Sequence, residues 1–273
     1  MRTDERLSGV VGDRYRVERE LGHGGMATVY LADDQRDGGQ VAVKVLRREI
    51  TGIFGSGRFG REIRILQRLR HPSIVPVLDS HESPTLHYYV MPYVPGESLR
   101  DLLAREGPLP LGRVRSIAQA LAGALDYAHS QGVLHRDIKP ANVLLAGERV
   151  VVCDFGFARV IEIAAGDTLS SSGLVLGTPA YMSPEQAMGG DIDERTDIYA
   201  LGCVIYEMLA GEPAFAGATS QAVVARVVSE APRPLGGVRP DLPPKVERAI
   251  RAALAKQPEG RPRSAGELVA RLA

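Results

Sequence analysis

The residues at positions 135–142 combine groups that could do chemistry. They include an acid at Asp137, cations at Arg136 and Lys139, and an amide at Asn142. A periodic apolar segment precedes them and a β-branched run follows, so scaffold on both sides would hold this loop, which is how catalytic residues are usually presented. The pattern predicts a catalytic loop.

A glycine-rich segment near the N-terminus could bind an anion. Gly22-x-Gly24-x-x-Ala27-x-Val29 lies between two predicted strands, so its context excludes the dinucleotide-binding fingerprint, which needs a strand and a helix. Without Cβ atoms, the glycines, Gly25 included, let backbone N–H groups approach a polyphosphate closely. A plain glycine-rich turn is the alternative interpretation.

Lys44 lies on the next predicted strand, and Ala42 shares its face. An edge-strand lysine in contact with water is one interpretation. Glu62, on the inner face of the following helix, favours another, in which a carboxylate fixes the ammonium group so that it reaches phosphate oxygens.

The composition limits the classes of partner. The chain has 273 residues, 44% of them hydrophobic, and a formal net charge of zero, so electrostatics suggest neither a nucleic-acid partner nor an anionic membrane surface. No apolar run reaches the roughly 18 residues of a membrane span, so we expect no membrane contact by this segment. Two cysteines, Cys153 and Cys203, are too few for a disulfide framework, and no His or Cys cluster has metal-ligand spacing. A reducing cytoplasm fits best.

Hydrophobic periodicity divides the chain into a β-rich first half and an α-rich second half. In the first half it predicts a β-meander, a helix and two further strands, at Tyr15–Leu21, Thr28–Ala32, Val41–Leu46, Phe59–Leu69, Ile74–Leu78 and Leu86–Tyr93. In the second half it predicts a long helix around Val114–Ala128 that ends near Gly132, short strands at Val143–Leu145 and Val150–Cys153, a buried central helix at Asp197–Ala210, and helices at Ser220–Ser229, Pro244–Leu254 and Ser264–Leu272.

Five motifs together resemble the signature set of the protein kinases. They are Gly22 to Val29, Val41-Ala42-Val43-Lys44, His135 to Asn142, Asp154-Phe155-Gly156 and Ser183-Pro184-Glu185. The resemblance covers nearly the whole chain and is closest to the bacterial eukaryotic-like (Hanks-type) Ser/Thr kinases. It implies an α+β, two-lobed protein kinase fold. The N-lobe, residues 15–94 with the hinge at 91–94, would hold a five-stranded antiparallel sheet and one regulatory helix. The mainly helical C-lobe, residues 95–273, would contain the activation segment 154–185, and residues 1–14 would be a flexible N-terminus.

The resemblance implies transfer of the ATP γ-phosphate to Ser/Thr hydroxyls with Mg²⁺. Asp137 would orient the substrate hydroxyl and accept its proton, and Lys139 would neutralise the phosphoryl group. Asn142 and Asp154 would hold the magnesium ion. Lys44, paired with Glu62, would bind phosphate oxygens.

The same resemblance implies the adenine contacts. Met91 would be the gatekeeper, the Pro92 carbonyl would accept from the adenine amino group, and the Val94 N–H would donate to the ring. The residues on either side of the ring, each equally an ordinary core residue by composition, would be Leu21, Val29, Ala42 and Leu144. Ala27 stands in place of the third glycine of the motif, and Cys153 is either an accessible thiol facing the nucleotide or a small buried hydrophobe.

Further residues are implied in structure and regulation. Glu185 would pair with Arg261, and Thr178 would bridge to the catalytic aspartate and lysine beside the peptide groove. Asp197 would hold the backbone of the catalytic loop, or would be only an acid near a helix N-terminus. Arg136 would receive a phosphate of the activation loop. The candidate acceptors are Ser172, Ser170, Thr168 and Ser171, and an unmodified Ser-rich loop is the alternative.

The implied partners are protein substrates, including the chain itself, and a second copy bound through the N-lobe. A cytoplasmic location would also suit the cytoplasmic domain of a membrane-anchored receptor-like kinase. Two rival functions are disfavoured. A catalytically silent scaffold would lack Lys44, Asp137 or Asp154, and a small-molecule phosphotransferase would lack the Gly177-Thr178-Pro179-Ala180-Tyr181 segment.

Overall fold

The structure is a computed structural model that describes residues 14–47, 58–83, 86–157 and 179–273. These residues fall into two compact units. The first contains the described residues up to Arg70 together with Val75–Pro95, and the second contains His71–Ile74 and the described residues from Gly96 onward. Of the N-terminus predicted to be flexible, only Arg14 is described.

The first unit is built on a five-stranded antiparallel sheet, as predicted. Its strands stand in the order β1-β2-β3-β5-β4. The elements are β1 (Tyr15–His23), β2 (Ala27–Asp34), β3 (Gln40–Leu46), helix α1 (Arg58–Leu66), β4 (Asp79–Ser83) and β5 (Leu86–Pro92).

The core of the first unit lies on one face of this sheet. Val41, Val43 and Val45 alternate along β3 and pack in one buried cluster with Tyr30 of β2 and Val90 of β5. The strand period of two sends the residues between them, including Lys44, to the opposite face. The alternation in the sequence therefore fixes which face Lys44 occupies.

One predicted strand, Ile74–Leu78, is wrong. Ile74 makes only an isolated parallel bridge to Val152, and the paired strand is β4, which begins at Asp79. Pro76 has no N–H to donate to a ladder. Ile74, Val75 and Val77 are buried without belonging to a strand, whereas Leu78 is 49% exposed. The strand β4, an edge strand of the sheet, carries no apolar residue, so hydrophobic periodicity could not find it.

The second unit is mainly helical, as predicted, with a small antiparallel sheet in the order β6-β7-β8. The two-residue strand β6 escaped prediction. The elements are β6 (Glu97–Ser98), α2 (Leu99–Glu106), α3 (Leu111–Ser130), β7 (Val143–Ala146), β8 (Arg149–Val152), α4 (Pro184–Met188), α5 (Glu194–Ala210), α6 (Ser220–Ser229), α7 (Pro244–Ala253) and α8 (Ala265–Ala270), with short 3₁₀ turns at Pro140–Asn142, Pro179–Tyr181, Leu235–Gly237 and Pro258–Gly260.

The predicted central helix is α5, which is buried without interruption from Thr196 to Tyr206. Gly202 lies against α7, and a Cβ atom there would come within 2.9 Å of the Cβ atom of Ala253. The missing side chain therefore lets α7 pack closely on α5. Within the described ranges, no helix has both the length and the apolar character needed to cross a bilayer.

Candidate active site

The loop of residues 135–142 follows α3 in the second unit. The helix ends at Ser130, and Gly132 follows it with a φ of 70°, in the left-handed region that favours glycine. The loop closes with a 3₁₀ turn at Pro140–Asn142, in which the Asn142 N–H donates to the Lys139 carbonyl at 3.0 Å. A helix end and a proline-initiated turn thus fix the two ends of the loop.

The structure brings Asp137, Lys139 and Asn142 together. The ammonium group of Lys139 lies 2.6 Å from Asp137 Oδ2, and the side-chain amide of Asn142 donates to the same oxygen at 3.2 Å and to the Asp137 carbonyl at 2.8 Å. Asp137 Oδ1 accepts no hydrogen bond from the described residues. The carboxylate is held through Oδ2, and its Oδ1 could accept a hydrogen bond from a ligand.

The donor atoms near Asn142 suit a hard cation. Because its Nδ2 is bonded to Asp137, the amide oxygen of Asn142 points away from that contact. The Asn142 carbonyl accepts from the backbone N–H of Cys153 at 3.0 Å, which ties it to the residue before Asp154. The described residues contain no cluster of three or more His, Cys, Asp or Glu side chains that could hold a metal. Magnesium, however, commonly takes one or two protein oxygens and completes its shell with phosphates and water, and an amide oxygen with a carboxylate fits that need.

Asp197 organises the backbone of the loop from below. Its Oδ2 accepts from the His135 N–H and lies 2.8 Å from His129 Nε2, and its Oδ1 accepts from the Arg136 N–H at 2.8 Å. Complete burial alone would raise the pKa of Asp197, but the His129 contact and the backbone donors hold that pKa below its ordinary value. With its oxygens committed in this way, Asp197 is more than an acid near the start of α5.

His135 is a neutral scaffold residue. Its Nδ1 accepts from the Asp137 N–H at 3.2 Å and its Nε2 lies 2.9 Å from the Cys153 carbonyl, so the proton is on Nε2. Burial lowers the pKa of His135, which agrees with this neutral tautomer. Its ring meets Phe155 edge-on, with centroids 4.6 Å apart. One imidazole therefore links the loop to the segment that carries Asp154.

Two residues that support the loop were missed by sequence reasoning. His129 reaches Asp197 from the last turn of α3, and Gln186 Nε2 donates to the Arg136 carbonyl at 2.9 Å. Gln186 had a local signal, because Ser183-x-x-Gln186 is a capping box at the start of α4. That signal predicts a helix start and not a contact with a residue 50 positions away.

The structure contains the predicted Glu185–Arg261 ion pair, which is bidentate, with distances of 2.7 and 2.8 Å. Thr196 also donates to Glu185, at 2.7 Å. Burial would raise the pKa of Glu185, but Arg261 and Thr196 lower that pKa below its usual range. The carboxylate is therefore fully ionised and anchors the end of the 154–185 segment to the start of α5.

In the first unit, Lys44 lies on a central strand. The strand β3 pairs with β2 on one side and β5 on the other, and Lys44 stands opposite Val29 and Tyr89. Only 9% of Lys44 is exposed. The interpretation of Lys44 as a solvated edge-strand lysine is therefore wrong.

The face that carries Lys44 also carries three of the six predicted adenine contacts of this unit. Ala42 lies opposite Met91 and Lys44 opposite Val29, so Val29, Ala42 and Met91 share that face. Leu21 falls at a register shift between β1 and β2. Pro92 pairs with Val41 at the end of β5, Val94 follows two residues later, and Leu144 lies on β7 in the second unit.

The glycine-rich turn joins β1 to β2 and is closed by a hydrogen bond from the Gly24 N–H to the Ala27 carbonyl at 2.9 Å. Among the described residues, a Cβ atom added at Gly22 or Gly25 would meet no atom within 4 Å. The packing of the chain itself does not require these glycines, which agrees with a backbone kept clear for a ligand.

For several other predicted site residues, the structure gives the burial or the backbone conformation but not the predicted contact. Glu62 is half-buried on α1, and its ion pair with Lys44 stays a prediction. Arg136 is half-buried, with a φ of 67°. Cys153 and Cys203 are both buried, so the accessible-thiol alternative for Cys153 is wrong. Five predicted site residues lie outside the described ranges: Thr168, Ser170, Ser171, Ser172 and Thr178.

A family profile, two curated proteins and one solved structure that resemble this chain all point to the protein kinases. The family profile described as "Protein kinase domain" matches residues 15–270. The chain is 41% identical over 278 residues to "Serine/threonine-protein kinase PknB" of Mycolicibacterium smegmatis, which covers 100% of this chain and 44% of that protein. It is 41% identical over 271 residues to "Serine/threonine-protein kinase pkn2" of Myxococcus xanthus, which covers 97% of this chain and 32% of that protein. The crystal structure of Rad53 1-466 in complex with AMP-PNP is similar, with a TM-score of 0.79 and 26% identity over 95% of this chain and 65% of that chain. The chain spans less than half the length of the two curated relatives.

Proposed function

The chain belongs to the protein kinase family as a serine/threonine kinase domain with an α+β fold, and we propose that its loop of residues 135–142 transfers the γ-phosphate of ATP to hydroxyl groups of proteins. The observation that carries the proposal is the Asp137 carboxylate. One oxygen is fixed by Lys139 and Asn142, and the other is open to a hydroxyl group.

Asp137 acts first by position. Its open oxygen accepts a hydrogen bond from the attacking hydroxyl and orients the lone pair toward phosphorus. It takes up the proton as the new O–P bond forms and the bond between the γ-phosphorus and the β,γ-bridging oxygen breaks, so that ADP leaves. Lys139, held 2.6 Å from the same carboxylate, places a positive charge beside the transferring phosphoryl group. Because the transition state spreads negative charge over the phosphate oxygens, a fixed cation lowers its energy more than that of the ground state.

Asn142 and Asp154 are the residues that would hold magnesium. A magnesium ion held there would supply positive charge that stabilises the phosphate oxygens. The Asn142 amide is already fixed by its hydrogen bond to Asp137, so the metal and the general base would share one rigid support.

The family resemblance and the sheet register support the nucleotide contacts that we propose. Lys44, with Glu62 as its partner, binds phosphate oxygens, and the Gly22–Gly25 turn supplies backbone N–H groups. Val29, Ala42 and Met91 offer an apolar face to the adenine ring. The remaining adenine contacts that we propose come from Leu21, Pro92, Val94 and Leu144.

Regulation is proposed to run through Arg136 and the activation loop. Transfer of phosphate to Ser170 or Ser172, or to Thr168 or Ser171, would create an anion that pairs with Arg136. Thr178 would link the peptide groove to Asp137. These roles extend the expectation that the kinase phosphorylates itself.

The remaining proposals concern the whole protein. Its substrates are proteins with Ser/Thr acceptors, a second copy pairs through the N-lobe, and the activity lies in the cytoplasm, where ATP is available. Relatives named as kinases over the matched region support the first of these.

The test compares intact masses of the wild type, Asp137→Asn and Asp191→Asn after incubation with ATP and magnesium. Asp191 is exposed and is the matched control. We expect phosphate mass increments, mapped to residues 168–178, in the wild type and in the control, and none in Asp137→Asn. A wild type that gains no phosphate and transfers none to a mixture of proteins would refute the proposal.

A further inference from the structure

A charged cavity of about 590 Å³ lies in the second unit and takes no part in the proposed reaction. It is lined by Arg195, Glu259, Arg261, Arg263, Glu267 and Arg271. The lining carries four guanidinium groups and two carboxylates. Because Glu185 neutralises the Arg261 guanidinium, the remaining lining has a formal charge of +1. A cavity with this lining attracts anions.

Arg261 forms the buried wall of the cavity and is already saturated. Its guanidinium group donates to both oxygens of Glu185 and to the carbonyls of Arg195, Ala255 and Lys256. Arg261 is 4% exposed. It is therefore a rigid support and not a ligand donor.

The other cations keep unused donors. The Arg195 guanidinium lies 3.9 Å from Asp193 and 4.0 Å from Glu259, beyond hydrogen-bond distance. The Arg263 guanidinium makes no hydrogen bond or close ion pair within the described part of the chain, although its charge helps to lower the pKa of Glu267. Two planar forks of N–H donors thus face the cavity without an acceptor.

The acids do not satisfy these donors. Glu267 is occupied by the Arg263 backbone N–H at 2.7 Å and by Arg271 at 2.6 Å. Glu259 is largely exposed, and its nearest cation is the distant Arg195. A ligand would therefore find anion-binding forks beside one carboxylate that can accept from N–H or O–H donors.

The size of the cavity selects the ligand. Its volume lies within the range of pockets that bind whole small molecules and exceeds what one phosphate ion fills. Guanidinium forks match the oxygens of a phosphate monoester bidentately, and a neighbouring carboxylate suits the backbone N–H groups of a peptide. We propose that this cavity binds a phosphorylated side chain of a protein, with Arg195 and Arg263 on the phosphate and Glu259 on the adjoining peptide.

The binding test uses the full chain with Asp137→Asn, so that no phosphate is transferred and the result does not depend on catalysis. The probe is a short fluorescent peptide with a central phosphoserine, and fluorescence anisotropy measures its binding. Parallel arms use the same peptide with serine, the same peptide with glutamate, and inorganic phosphate as a competitor. The variants are Arg263→Gln, the pair Arg195→Gln with Arg263→Gln, and Arg248→Gln, an exposed arginine on α7, as the control.

We expect the phosphoserine peptide to bind and the serine peptide not to bind. Each lost arginine should weaken binding by about tenfold, as expected for a hydrogen bond to a charged group, and Arg248→Gln should leave binding unchanged. Inorganic phosphate that competes as well as the peptide, a glutamate peptide that binds equally, or full binding by the double variant would each overturn the proposal. The side chains of Arg195 and Arg263 reach the surface, so the melting temperatures of the variants should match that of the Asp137→Asn parent. A lower melting temperature would identify a variant whose loss of binding comes from a folding defect.

Discussion

Replacing Asp197 by asparagine should weaken both the fold and the reaction, because one carboxylate holds the backbone at the start of the loop. It accepts from two backbone N–H groups, of His135 and Arg136, and contacts His129. Asparagine has one acceptor oxygen. If that oxygen replaces Oδ2, the Arg136 N–H faces an NH₂ group, and if it replaces Oδ1, the His135 N–H does.

In either orientation a buried backbone N–H loses its acceptor, which costs about 1–3 kcal/mol, and the surviving bonds lose their charge assistance. We expect the free energy of unfolding to fall by roughly 3 kcal/mol, and the melting temperature by about 2–4 °C for each kcal/mol in a domain of this size. Because the loop that carries Asp137 would shift, kcat should fall roughly 100-fold, as a displacement of about 1 Å can cause.

Urea denaturation and steady-state kinetics measure the two effects. The control is Asp193→Asn on the same helix. Asp193 caps α5 by accepting from the Arg195 N–H at 2.8 Å, and asparagine is an equally good capping residue, so its effect should stay within about 0.5 kcal/mol.

The pKa of Asp197 is lowered by folding. Its contribution is therefore present above the unfolded pKa, near 4, and is lost as the pH falls through the folded pKa, so the acid limb of stability should be shallower in Asp197→Asn. An Asp197→Asn protein that loses less than about 1 kcal/mol and keeps its kcat would refute this reasoning.

Three further substitutions test other parts of the structure. Glu185→Gln leaves the Arg261 guanidinium buried without its anion, so urea denaturation should show a loss of about 3–5 kcal/mol, and a loss below about 1 kcal/mol would contradict the structural role of this pair. Burial lowers the pKa of Lys256 to about 8 from 10.5, so the free energy of unfolding of the wild type should rise with pH between these values, as the unfolded chain binds a proton that the folded chain has lost. That rise should be absent in Lys256→Met, and equal slopes in the two proteins would contradict it. Gly22→Val places its side chain in open space, so we expect an unchanged melting temperature but a several-fold higher KM for ATP, and an unchanged KM would exclude Gly22 from nucleotide binding.

The parts of the fold that the sequence predicts best are those with one strong periodic signal. The helix α6 has the predicted bounds, Ser220–Ser229, because its cap and its apolar spacing agree. The central helix α5 is predictable because apolar residues occupy most of its faces. The alternation along β3 is enough to place Lys44 on the face opposite the core.

The parts that could not be predicted depend on contacts between distant residues. His129 and Asp197 are 68 positions apart, and nothing in the helical pattern of α3 distinguishes His129 from a surface residue. The edge strand β4 contains only polar residues, so its sequence has no apolar alternation, and its place in the sheet depends on pairing with β5. The Glu185–Arg261 pair was anticipated only from the resemblance to a family, since composition and spacing do not select these two residues.

The backbone of the active site carries a thermodynamic cost that bears on protein engineering. Arg136 and Asp154 are the described non-glycine residues with left-handed φ, at 67° and 66°, a conformation that costs roughly 1–2 kcal/mol for each such residue. Both lie where the proposed chemistry occurs. A screen for thermostability alone would therefore favour glycine or asparagine at these two positions and would select against activity, so selection for stability in this chain should be paired with selection for phosphate transfer.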